Sequence, residues 1–333
     1  MIVEEFLSEK EARPAATYFR LRQLAIESAR IILQDEAKLV EVSCPACDAR
    51  ERTEAFTNHG YHYQECSSCG TLYISPRPTS EAMKWYLLRS PLAEFRRSEA
   101  FRQELHEFSH ELAQNRADWI VSLSHSARLD DQLAIVDVQE RYSLVLANLT
   151  RCLSVPLSAV TPLWATGSEP LEPPIHVIEN LIDLDHSQAQ LVTAFDVIEH
   201  LTDPASFVRD VHRALAGGGY FALTTRAGSG FDIQALWDKL DNIFPLEHTN
   251  LISTQGMTML LQRTGFDVLE MSTPGQLDVQ VVTRLLGQDE TMAGQRLLRL
   301  LTLTGGEDAR RELQHFLQKY LLSSFMRVVA CKR

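Results

Sequence analysis

Phe195-Asp196-Val197-Ile198-Glu199-His200-Leu201-Thr202-Asp203-Pro204 is the stretch that decides the fold. Apolar residues lead in from Leu191, two acids and a histidine follow within five positions, and Asp203-Pro204 supplies an N-cap and a first helical residue. The pattern predicts a strand that ends in polar chemistry and turns into a helix. In an open α/β sheet, ligands bind outside the carboxyl ends of the strands, so the stretch points to a site.

On either side of it, strand and helix alternate. Short apolar strands are expected at 133–138, 157–160, 175–178 and 190–194, with a loose loop at 161–174. After the helix that buries Phe207, Val208, Val211 and Leu215, Gly217-Gly218-Gly219 ends it, and a fifth strand follows at 220–224. The connection 226–253 carries Trp237, Phe244-Pro245 and Glu247-His248 and is long enough to read as a lid. A helix stopped at Gly265, a sixth strand at 266–272, a helical insertion at about 281–322 and a last strand at 325–330 complete the pattern. The expected fold class is α/β, a Rossmann-like sheet of seven strands, parallel with right-handed crossovers.

The units expected in chain order are an N-terminal helix (1–38), a zinc ribbon (39–78), a helical linker (79–130) and the α/β domain (131–333). The ribbon rests on Cys44-Pro45-Ala46-Cys47 and Cys66-Ser67-Ser68-Cys69, with 18 residues between the pairs. Four thiolates on two tight turns complete a tetrahedron around Zn²⁺ and leave no position for substrate, so the zinc is read as structural. His59 and His62 lie between the pairs, but four sulfurs already suffice. Tyr61, Tyr63 and Tyr73 read as ribbon core, and Tyr18, Leu21, Ala25, Ala29 and Ile32 as the packed stripe of the leader helix. His106 and His110, four apart on the linker helix, have no third ligand in sight and read as surface.

Charge narrows the partners. With 333 residues, 45% hydrophobic and 23% charged, the chain is an ordinary globular one, and its net charge of −12 opposes binding to nucleic acid or an anionic membrane. The ribbon itself holds three arginines against four acids, which is no phosphate-binding surface. No apolar run approaches a membrane span, and Glu4, Glu5, Glu9 and Glu11 are unlike a signal peptide, so a cytoplasmic location is expected.

With these pieces in place, the chain resembles the class I S-adenosylmethionine (SAM)-dependent methyltransferases, in particular a group with an N-terminal zinc ribbon associated with sugar or polysaccharide modification. The resemblance is carried by the Cys₄ ribbon running into Ser75-Pro76-Arg77-Pro78, the stretch from Phe195 to Pro204, and the triple glycine. It continues in the segment Pro245 to His248, Thr273-Pro274-Gly275-Gln276-Leu277-Asp278 and Leu322-Ser323-Ser324-Phe325. It implies SAM as cofactor and a small acceptor such as a nucleotide-linked sugar. It places Asp137, Gln139, Glu179, Asn180, Phe195 and Asp196 on the cofactor side. On the acceptor side it places Glu199, His200 and His248, with a histidine as general base.

The chain departs from that family on the cofactor side. The glycines of Asp-x-Gly-x-Gly-x-Gly are replaced by Gln139, Arg141 and Ser143, and Val160-Thr161-Pro162-Leu163-Trp164 lacks the acid that would accept from the ribose. Two readings follow. One is a methyltransferase that holds SAM in an unusual way; the other is a catalytically silent relative that serves as a protein partner or scaffold.

Overall fold

The structure is a computed structural model that describes residues 15–127, 129, 134–138, 144–153, 156–160, 176–178, 181 and 189–333. From helix α1 (Ala15–Leu33) the chain enters five short strands, β1 (Leu39–Val40), β2 (Arg52–Asn58), β3 (Tyr61–Cys66), β4 (Leu72–Ile74) and β5 (Arg77–Pro78). Three helices follow, α2 (Ser80–Arg89), α3 (Pro91–Arg96) and α4 (Glu99–Ser126), each opened by a side chain that caps it, Thr79, Ser90 and Ser98. Then come β6 (Ile135–Val138), α5 (Leu144–Cys152), β7 (Leu157–Val160), β8 (His176–Ile178), β9 (Ala189–Phe195), α6 (Pro204–Ala214) and β10 (Leu215–Arg226). The remainder holds α7 (Phe231–Leu236), β11 (Asn250–Leu251), α8 (Thr254–Arg263), β12 (Phe266–Ser272), α9 (Asp278–Gln288), α10 (Arg296–Arg299), α11 (Gly306–Lys319) and β13 (Phe325–Lys332).

Among the described residues the main sheet has seven strands in the order β12-β13-β10-β9-β6-β7-β8. Strands β6 to β10 run parallel, and β13 is antiparallel to both neighbours. Alternation along each strand sends side chains to two cores. On one face Val136, Val138, Val192, Ala194, Phe221 and Leu223 meet α6 and α8. On the other, Ile135, Leu157, Leu191, Phe195 and Ala222 meet α4 and α5. Mixed sheet and flanking helices fit a Rossmann-like methyltransferase fold.

Two local expectations change. The strand expected from Tyr220 begins at Leu215, because the three glycines form an irregular bulge between the Leu215–Ala189 and Tyr220–Leu191 pairs, with Gly218 at φ +73°. The connection 226–253 is packed core, not a lid. Ile233, Leu236, Leu240, Ile243, Phe244 and Leu246 are buried in one cluster with Phe56, Tyr61, Tyr63, Ile74 and Tyr86. Its strand β11 pairs with β4, so the sheet β11-β4-β3-β2 is finished by a segment more than 170 residues downstream.

Arg77 fastens this joint. Its guanidinium is 2% exposed and donates to the carbonyls of Ile74 (3.3 Å) and Thr202 (2.8 Å) and to Asn250 Oδ1 (3.2 Å). Asn250 Nδ2 in turn donates to the carbonyls of Ile198 (3.2 Å) and Leu201 (2.6 Å), so the turn after β9 hangs on the strand after the ribbon. Replacing Arg77 by alanine leaves these buried acceptors without their donor and is expected to cost roughly 2–4 kcal/mol. A lower urea midpoint at unchanged slope would show it, and Arg77→Lys should restore less than half, since a point ammonium cannot reproduce the fork.

Candidate active site and metal centre

Strand order fixes where a ligand can sit. β7 and β8 lie to one side of β6, β9 and β10 to the other, so the topological switch falls between the carboxyl ends of β6 and β9. Asp137 stands at the first of these ends, yet it is 3% exposed and accepts from Thr193 Oγ1 of β9. Burial pushes its carboxyl up to about 6, against the pull of Thr193 and Arg116. It braces the two central strands against each other.

Asp196, just past β9, adopts the left-handed φ of +54° that aspartate tolerates better than most residues. Its N–H donates to the Thr224 carbonyl (3.0 Å), and its carboxylate accepts from Thr224 Oγ1 (2.9 Å) and from Arg116 of α4. Burial alone would raise this carboxyl; Arg116 and Thr224 outweigh it and hold it below the ordinary range. The same guanidinium lies 5.1 Å from the centre of the Phe195 ring.

Three residues on, Glu199 is 4% exposed and accepts from Thr225 Oγ1 (2.7 Å). Burial and, after it, the Asp196 charge push its carboxyl up to about 7, while His200 and Thr225 pull the other way. A carboxyl poised there is suited to exchange protons near neutral pH.

His248 reaches the same place from the connection, its ring centre 6.2 Å from that of His200. The ribbon and linker hold it: Tyr63 Oη donates to its carbonyl (2.9 Å), and the adjacent Glu247 is bound by Tyr86 Oη (2.9 Å) and Arg96. Burial, then Arg226 and His200, keep the imidazole well below its usual pKa, so it is neutral. Its Nδ1 accepts the Phe244 N–H (3.1 Å), which places the ring proton on Nε2. In this tautomer His248 offers a donor, not the lone pair of a base.

Asp196, Glu199, His200 and His248 line one cavity of about 480 Å³, together with Arg116, Arg226 and the segment 274–278. That volume suits a small molecule. Of the residues expected on the cofactor side, Asp196 lines it, Phe195 packs into the core with α4 and α5, and Asp137 is buried against Thr193; Gln139, Glu179, Asn180, Arg141, Ser143 and 161–164 lie outside the described residues. Sequence reading missed Arg116, Arg226, Asp232 and Asn242. Arg226 donates to Asp232 (2.8 Å) and Asn242 (3.0 Å), but single charged residues on a helix or strand end carry no spacing signal.

The four ribbon cysteines converge at the far side of β4. Their sulfurs lie within 4.8 Å of one another, with Cys44–Cys69 at 3.6 Å and Cys47–Cys66 at 3.4 Å. The two turns are near copies: Asp48 N–H donates to the Cys44 carbonyl and Gly70 N–H to the Cys66 carbonyl, with Asp48 and Gly70 both at positive φ. Four sulfurs on a Zn–S bond of about 2.3 Å stand about 3.8 Å apart, so the set can hold such an ion. His59 and His62 stand away from it; His62 Nδ1 is 3.1 Å from Glu54.

A family model described as a methyltransferase domain matches residues 97–271, more than half of the chain, and the chain belongs to that family. No curated protein shows a significant match. Among solved structures, phosphoethanolamine N-methyltransferase 2 of Haemonchus contortus, in complex with S-adenosyl-L-methionine, is 14% identical, over 78% of this chain and 62% of that one, with a TM-score of 0.47. An S-adenosylmethionine dependent methyltransferase from Mesorhizobium loti is 15% identical, over 65% and 98%, with a TM-score of 0.38. Among the described residues no helix is long and apolar enough to cross a membrane.

The tautomer of His248 is open to measurement. Nitrogen-15 correlation spectra should show a neutral Nε2–H ring that fails to titrate where an exposed histidine does.

Proposed function

We propose that the chain transfers a methyl group from SAM to a small polar acceptor in the 480 Å³ cavity, with Glu199 as the proton acceptor. The observation behind this reading is a buried carboxyl, pushed up to about 7, that faces a cavity at the carboxyl edge of the sheet, in a chain of the methyltransferase family. His248, first read as the base, becomes a donor through Nε2 that orients the acceptor, with His200 beside it.

SAM, when bound, supplies an electrophilic methyl group on a sulfonium. Asp196 and Arg116 present opposite charges at the switch point, the complement of its ammonium and carboxylate, and these residues would hold that end. Glu199 then takes the proton that the acceptor loses, and the packed connection keeps bulk water from it. Calorimetry with S-adenosylhomocysteine tests the cofactor: binding is expected, and Arg116→Ala should weaken it by about tenfold or more. No binding at millimolar ligand would favour the silent-partner reading.

Transfer should rise with pH through about 7 as Glu199 ionises, and Glu199→Gln should lower kcat by roughly 10²–10⁴ at unchanged fold. The same residue carries a stability signature. An acid whose pKa is raised on folding favours the folded state at low pH, and that favour is lost as pH rises from the ordinary glutamate range through about 7. Above it Glu199 is a destabilising buried charge, so Glu199→Gln should melt higher than wild type at pH 8.

Cys44, Cys47, Cys66 and Cys69 are read as the ligands of one structural Zn²⁺. Cys69 is held down to about 5 chiefly by the proton that Cys44 donates to it, while Cys44 and Cys47 are pushed up, so four thiolates need a cation to coexist. Elemental analysis should find about one zinc per chain, and Cys69→Ser should lose it together with several degrees of Tm.

A further inference from the structure

The cavity's charges are matched unevenly. Its two arginines are each taken: Arg116 pairs with Asp196, a pair that the ammonium and carboxylate of SAM would leave neutral, and Arg226 pairs with Asp232. Glu247 is neutralised from behind by Arg96. Two further carboxyls line the cavity with neutral donors around them. Asp278, 2% exposed, accepts from Ser323 Oγ (2.5 Å), Ser324 N–H (2.7 Å) and Gln314 Nε2 (2.9 Å). Glu199 accepts from Thr225 and has His200 beside it. With Glu199 ionised, negative charge is therefore in excess among the described lining residues whether or not His200 is protonated.

This imbalance selects among acceptors. A nucleotide-linked sugar carries at least two negative charges and would meet no arginine that is not already paired within the described lining; its phosphates would be desolvated against Asp278 and Glu199. A neutral polyol would leave the excess uncompensated. An ammonium offsets it, and Phe244 and Phe325, whose aromatic rings can attract a cation, line the same space.

We propose that the acceptor is a small amine, taken up as its ammonium ion into the cavity that Glu199, Asp278, Phe244 and Phe325 line, and methylated on nitrogen. This rests on the methyltransferase reading above. The ammonium gives one proton to the Glu199 carboxylate, which frees the nitrogen lone pair. The amine then forms the N–C bond, and the electron pair of the broken S–C bond stays on sulfur as S-adenosylhomocysteine leaves. One proton, carried off by Glu199, balances the step. Asp278 takes no part in the proton transfer and holds the acceptor by attraction alone.

Two matched series test the inference on the full-length protein loaded with S-adenosylhomocysteine: glucosamine, glucose and glucose 1-phosphate, then ethanolamine, ethylene glycol and 2-hydroxyethyl phosphate. Calorimetry should rank the amine first in each, by about tenfold or more over its neutral partner, with the phosphate weakest. Asp278→Asn should cut that preference by about tenfold while S-adenosylhomocysteine binding stays as in wild type. With SAM in place, mass spectrometry should find the methyl group on nitrogen. The inference is overturned if neither amine is preferred, or if the phosphate binds best, in both series. Those outcomes leave the methyltransferase reading standing when S-adenosylhomocysteine binds and another acceptor is methylated; absence of any cofactor binding removes both.

Discussion

The guanidinium of Arg77 is the tie on which the arrangement depends. It sits at the end of the ribbon, yet two of its acceptors come from far along the chain: the Thr202 carbonyl in the turn after β9, and Asn250, which itself grips Ile198 and Leu201. Burial lowers its pKa only to about 10, so it remains charged at neutral pH, and charged donors make the stronger hydrogen bonds. Glu199 and His200 lie inside the turn so held. The position of the Glu199 carboxyl is thereby set by the ribbon as much as by the sheet.

The ribbon is joined to the α/β domain by packing too. Cys44, Ala46, Cys66, Cys69 and Tyr73 belong to one continuous core with Val192, Phe221 and Leu260. Arg263 of α8 donates to the carbonyls of Ala46 (2.7 Å) and Pro45 (3.1 Å), and Ser253 Oγ to that of Cys69. Gly256 is required here, because a Cβ on it would stand 2.2 Å from Thr71 Oγ1. A metal in this position stiffens the support of the cavity, and loosening one turn disturbs a core shared by both units.

Regular periods were legible in the sequence, and isolated contacts were not. The strands 157–160 and 266–272 fall where the apolar runs place them, and the cysteine spacing foretells the cluster. Tyr61, Tyr63 and Tyr73 are ribbon core, as expected of aromatics in a small sheet. The connection 226–253 misled because its length resembles that of a lid, while the evidence that it is core, Ile233, Leu236 and Leu246 against Tyr61 and Tyr63, is long-range. His248 shows the same limit. Its chemistry depends on which nitrogen the Phe244 N–H occupies, and one backbone donor four residues upstream leaves no trace in composition.

The division between shared fold and particular chemistry follows the chain. The family match, 97–271, covers the chain from before α4 to near the end of β12, which is every strand of the main sheet but β13, and with it Asp196, Glu199 and His248. Other walls of the cavity come from outside that span: Leu21 of α1, Pro274 to Asp278, Val281 of α9, Ser324 and Phe325. Asp278 belongs to this second set. A shared sheet can thus be kept while the surrounding helices change what the cavity admits. Here they add a carboxylate held by three neutral donors, close enough to Asp232 for the two charges to repel. Arginines alone, each paired within the cavity, would give a neutral wall with no preference; an acid without a cationic partner among its hydrogen bonds is what would make such a frame selective.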